Sequence, residues 1–189
     1  MSEIATLPPL AELQQRELPL SPSTGQPRRA VWMIVADVFL YGAAVVSAVA
    51  LSWSWWLAIH AHSFAHSSAL VEWWKPRPGG WRSIVAVVAI TLIGMAMTAA
   101  PAVAAFNAWN GHRWSRIASV VAVVLGCLAA LVGPVAWAAP VLSLVGAVVL
   151  HLPPVTRYFE PWRRYRAGTP LPQHADIDVV YGPARTRLV

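Results

Sequence analysis

The sequence predicts an all-α fold: an integral membrane four-helix bundle with both termini cytoplasmic and disordered or extended N- and C-terminal arms. Three observations predict it. Between Ala30 and Leu152 run four long apolar stretches, about 30–59, 81–106, 114–132 and 134–152. The first two exceed, and the last two just reach, the ~20 residues a helix needs to cross a bilayer. Almost every charge lies outside them, and charged residues are only 12% of the chain, about half the ~25% of soluble domains. Finally, Lys and Arg are divided unequally between the two ends of the stretches.

Residues 1–29 form a proline-rich arm on the cytoplasmic side. Leu7-Pro-Pro-Leu10 and Leu18-Pro-Leu-Ser-Pro22 favour polyproline geometry and cannot continue a helix. Solvated coil is the state expected of this arm, with docking on a partner through Leu10, Leu13 and Leu20 the alternative. Glu3, Glu12, Glu17 and five prolines precede the first apolar run, which is itself too long for a signal-peptide core, so span one is expected to stay as an anchor. Arg28 and Arg29 stand at its start and Trp53, Trp55 and Trp56 near its far end, where amphipathic rings prefer to lie. The helix between these anchors is ~36 Å long, enough to span with some tilt.

Residues 60–80 form the outside loop, closed by Pro76, Pro78, Gly79 and Gly80; its first part, His60–Trp74, has no breaker and reads as a continuation of helix one. Span two returns, with Pro101 predicting a kink near its end. Asn107–Trp114 leads into span three through the turn signal Asn110-Gly111. Gly133-Pro134 reverses the chain into span four, which stops at Pro153-Pro154. Residues 153–189 form a basic and aromatic tail. On the terminal side stand Arg28, Arg29, Arg113, Arg116, Arg157, Arg163, Arg164 and Arg166, against Lys75, Arg77 and Arg82 opposite. Eight cations against three place both termini in the cytoplasm of a multi-pass plasma membrane protein.

Helices in lipid associate through small residues, because lipid tails are as apolar as leucine. Ala118, Ala122, Gly126 and Ala130 recur every four residues in span three. Gly94, Thr98 and Ala102 do so in span two, and Ser143, Gly146 and Ala147 serve span four. These stripes suit packing within the bundle or against another subunit. In the tail, Arg157, Tyr158, Phe159, Trp162, Arg163, Arg164, Tyr165 and Arg166 place aromatics at helical spacing with arginines between. That pattern suits an interfacial segment on anionic lipids or a partner.

Asp37 is the acidic residue inside a span, about seven positions or ~10 Å from its start. An ionisable group there suggests a polar pathway, a buried partner, or an aspartate relieved by interfacial water and Arg28 and Arg29. His60, His62 and His66 precede Glu72 in the outside loop; on a helix, His62 and His66 share a face and suit a Zn or Cu site, which still needs further ligands. His112, His151 and His174 are scattered. Cys127 is single and reads as inert packing. No phosphate loop, dinucleotide turn, Cys pair or Ser-His-acid set is present. An enzyme is therefore not expected, nor a bound cofactor. The net charge of +6 sits at membrane borders rather than in a groove-reading stripe, so nucleic acid is not an expected partner. Transport by the chain alone is not expected either, since no inverted repeat or midplane polar set is found.

Four spans, Trp-rich borders, an Ala/Val-rich core and the loop Asn107-Ala-Trp-Asn-Gly-His-Arg-Trp114 resemble small four-span proteins of the actinobacterial envelope, over roughly residues 30–166. The resemblance implies an accessory subunit attached to a larger assembly, such as a respiratory supercomplex or an envelope lipid-import machine. It implies no active-site residues. The function expected is thus a non-catalytic accessory or assembly subunit of a larger membrane complex. A metal or haem site at His60, His62 and His66 is the alternative.

Overall fold

The computed structural model describes residues 21 and 26–167. The expected arms beyond them (1–20, 22–25 and 168–189, with His174) and the Arg164 side chain lie outside the described residues. The helices are α1 (Val31–Ile59), α2 (Ala69–Trp74), α3 (Trp81–Trp109), α4 (Ser115–Gly126), α5 (Ala129–Val132), α6 (Ala138–His151) and α7 (Pro153–Arg166), with 3-10 turns at Phe64–His66 and Pro134–Trp137. Four units are long and apolar enough to cross a membrane: Val31–Ile59, Trp81–Trp109, Ser115–Val132 and Pro134–His151.

The spans pack in a ring. Helix α1 lies against α3 and α6, and α4 closes the ring against the same two. Contacts run antiparallel. Arg29 stacks near Trp109, while Trp55 Nε1 donates to Thr91 Oγ1 at 2.9 Å. Leu40 meets Gly146, and Leu142 lies beside Gly42. All turns are short except residues 60–80, as an up-down-up-down bundle requires. Arg29, residues 107–114 and α7 mark the terminal end; residues 60–80 and the Gly133 turn mark the loop end.

Side-chain size sorts inward and outward in the opposite sense from a soluble protein. Ala36, Ala43, Ser47, Ala50 and Ser54 of α1 face the interior, while Val38, Val45 and Val49 face out. Small residues bring backbones together where no aqueous hydrophobic effect would do so. A Cβ at Gly126 would come within 3.0 Å of Pro140 Cα, and one at Gly146 within 2.8 Å of Leu40 Cγ. Buried Ser115 and Ser119 donate to the carbonyls of His112 (2.6 Å) and Arg116 (2.7 Å), so they pack as small residues without unmet hydroxyls.

The interior stripe of span three differs from a strict every-fourth pattern. Ala122 and Gly126 are buried, but Ala118 is half-buried and Ala130 exposed; the buried line is Ser115, Ser119, Ala122, Gly126, Ala129 and Val132. Four residues turn a helix by about 400°, so each step drifts ~40° off the face. Alternating steps of three and four stay on it. In span two, Gly94 is buried, while Thr98, bonded to the Gly94 carbonyl at 2.8 Å, and Ala102 sit half-buried at the edge.

Boundaries moved at three places. Helix α1 ends at Ile59 instead of continuing to Trp74, because His60 Nδ1 donates to the Trp56 carbonyl (2.7 Å) and Ser63 Oγ to that of Leu57 (2.9 Å). These side chains take acceptors that a further turn would use. Ser68 then caps α2, accepting from the Val71 N–H at 3.3 Å. Helix α3 passes through buried Pro101 and extends to Trp109. Span three breaks at Cys127-Leu128, where amides bond three residues back. An 18-residue span is ~27 Å long as pure α-helix, just under the ~30 Å hydrocarbon thickness. The larger rise of 3-10 turns, ~2.0 Å per residue, at 127–131 and Pro134–Trp137 makes up the difference.

Candidate functional site

The terminal end is built by α7. Leu152 is extended (ψ 145), and Pro153 and Pro154 start the next helix where missing amide donors do no harm. Val155, Tyr158, Phe159 and Trp162 then recur on one face. The aromatic face expected at lipid or a partner instead seals the chain's own bundle: these four residues share one core with Met33, Ala36 and Leu40 of α1, Ala104, Ala105 and Ala108 of α3, and Val149 and Leu150 of α6. Phe159 is 1% exposed and Trp162 5%. An aromatic side chain gains packing contacts and area burial in a cavity that four helix ends leave open.

Three further interactions lock the helix there. Tyr158 Oη donates to the Trp109 carbonyl at 3.1 Å, one of the orphan acceptors at the end of α3. The Arg29 guanidinium lies 4.3 Å from the Trp109 ring centroid and 5.9 Å from that of Trp162, within cation–π range. Gly111, at φ +70, lies flat against Trp162; a Cβ there would fall among the ring atoms. Asn110-Gly111 is therefore a turn, as expected, and also a seat for an aromatic ring. Arg157, Arg163, Tyr165 and Arg166 remain exposed, with Arg163 bonded to Glu160 at 2.7 Å.

Asp37 faces the interior at 4% exposure, and neither carboxylate oxygen has a hydrogen-bond partner among the described residues. The side chain thus turns to the bundle interior rather than to the outer face of α1. Nothing in span position alone could tell which face it takes; the neighbouring buried residues Met33, Ala36 and Leu40, at helical spacing, carry that signal.

At the loop end the three histidines diverge. His60 is turned back onto the Trp56 carbonyl, with its ring centroid 5.8 Å from that of His62. His66 lies in the 3-10 turn and pairs through Nδ1 with Glu72 Oε1 at 2.9 Å. The helical register that would align His62 with His66 is not formed. Among the described residues no three His, Cys, Asp or Glu side chains are grouped to hold a metal ion. Beyond them, Lys75, Arg77 and Arg82 line an open depression of about 420 Å³ with Pro76, Gly80 and Trp81. The sequence counted these cations only as charge on the minority side; that all three fall within eight residues around the Pro76–Gly80 turn was the signal that they line one depression. Cys127 is exposed on the bundle's outer surface, and His151 donates to the Ala147 carbonyl at 2.8 Å.

The described residues present cations and indoles at both ends of a closely packed bundle. No family model, no curated protein and no solved structure matches the chain.

Proposed function

We propose that the chain is a non-catalytic accessory or assembly subunit of a larger plasma-membrane complex, of the respiratory or envelope lipid-transport type, with both termini cytoplasmic. The orientation rests on the Lys/Arg bias, and the resemblance to small actinobacterial envelope proteins points the same way. The observation that carries the reading is where the tryptophans point. Trp32, Trp53, Trp55, Trp56, Trp73, Trp81, Trp114 and Trp137 are all exposed, eight of the chain's 11. Exposed indole supplies large, rigid contact area, which makes Trp a leading anchor residue at protein interfaces. Meanwhile the interior is filled by Ala, Gly and Ser in close contact, which suits a structural body.

Affinity purification from native membranes in mild detergent, with mass spectrometry, tests this. A stoichiometric set of larger membrane proteins is expected; recovery of the chain alone overturns the reading. Metal analysis of the same sample addresses the alternative, which the adjacent rings of His60 and His62 keep in view.

A further inference from the structure

We propose that the open depression lined by Lys75, Arg77 and Arg82 binds a phosphate-bearing anion at the loop-end face of the membrane, as the headgroup of an anionic phospholipid or as free phosphate.

The three residues, all exposed, line one open depression of about 420 Å³, within the ~300–1,000 Å³ of small-molecule sites. None has a carboxylate partner among the described residues, where the ion pairs are His66–Glu72 and Arg163–Glu160. Glu72 is the acidic residue of this end, and it is already engaged by His66. A concentrated positive charge is thus left without an internal counter-ion. Phosphate is the anion best matched to it, since Arg pairs with phosphate through two parallel N–H donors and Lys serves as a point charge.

The wall and the location fit the same ligand. Trp81 stands exposed at the mouth, with the Arg82 guanidinium 5.6 Å from its ring. Its place at the first residue of an apolar 29-residue helix is the level of lipid headgroups. The first turn of α3 holds no acidic residue and no side-chain cap, so the positive end of the helix dipole adds to the field of the cations. Lys75 sits at φ +51, at the C-cap of α2, where glycine is the unstrained choice. Under the proposed orientation these cations also oppose the positive-inside bias, which a ligand on that face offsets.

The test is native mass spectrometry of the purified full chain titrated with phosphatidylglycerol or phosphatidylcholine, with thermal stability in inorganic phosphate as a second arm. Phosphatidylglycerol is expected to remain bound at roughly tenfold lower concentration than phosphatidylcholine, and the triple variant K75G/R77Q/R82Q to erase that preference. The single variant Lys75→Gly relieves backbone strain, so its thermal midpoint should hold or rise while lipid retention falls; this separates ligand binding from folding. Stabilisation by inorganic phosphate that the triple variant abolishes assigns the site to free phosphate, and phosphatidylglycerol retention without it assigns the site to lipid. Equal retention of the two lipids, with no effect of phosphate, overturns the proposal. So does a phosphatidylglycerol preference that survives the triple variant but disappears in R157Q/R163Q, since it would then belong to the terminal end.

Discussion

Replacing Gly111 with alanine tests whether α7 is held as a structural plug. Among the described residues Gly79, Gly111 and Gly133 have positive φ, at +77, +70 and +146, and the last two stand at the reversals between spans. Backbone strain alone assigns alanine ~1–2 kcal/mol in the left-handed region of Gly111 and ~1–3 kcal/mol in the glycine-only region of Gly133. On strain, Gly133→Ala is the equal or worse variant. Packing reverses the order. Nothing lies within 4 Å of a Cβ at Gly133, whereas one at Gly111 meets Trp162, with Cδ2 at 2.8 Å and two ring-proximal atoms nearer still. Trp162 has to leave its pocket, and losing a buried Trp forfeits ~3–5 kcal/mol. Strain and lost packing together, Gly111→Ala should thus destabilise by ~4–7 kcal/mol and Gly133→Ala by ~1–3. The assay is equilibrium unfolding in mixed detergent micelles, closed by the cycle with Trp162→Ala. In the double variant the clash is gone, so the Gly111→Ala effect should shrink to its strain component, a coupling well above 1 kcal/mol. Additive effects, or Gly133→Ala as the more damaging change, would refute the plug.

Other outcomes follow from the same geometry. Gly126→Ala pushes a methyl against the Pro140 backbone, which has no flexible end to yield; a loss of ~1–3 kcal/mol in the same unfolding assay is expected. Asp37→Asn removes an ionisable group that is buried with no hydrogen-bond partner among the described residues and should stabilise the bundle by ~1–3 kcal/mol; a loss of that size would show that the carboxylate is held by Arg29 or by a partner. His62→Ala with His66→Ala should leave metal content unchanged, because the helical register that would align the two rings is not formed and His66 is engaged by Glu72; a drop in bound metal measured by elemental analysis would restore the metal reading.

The four spans were legible because a bilayer imposes one requirement on length and polarity, and unbroken apolar runs between Arg28-Arg29, the Pro76–Gly80 loop, Gly133-Pro134 and Pro153-Pro154 meet it in one way. The end of α1 was not, since His60 and Ser63 stop it by bonding to carbonyls of Trp56 and Leu57, an effect that hydropathy does not register. Small residues announced close packing, yet which of them face inward depended on helix phase, and so Ser115, Ser119 and Ala129 replaced Ala118 and Ala130.

The sequence by itself determined how many helices are long and apolar enough to cross a membrane, because that depends on local composition. Only the tertiary structure decided what Tyr158, Phe159 and Trp162 cover, which way Asp37 faces, and that Lys75, Arg77 and Arg82 line one depression. An aromatic-basic helix has the same pattern whether it lies on lipid or caps a bundle. The difference is the open space that four helix ends leave between them, and no single helix carries that information.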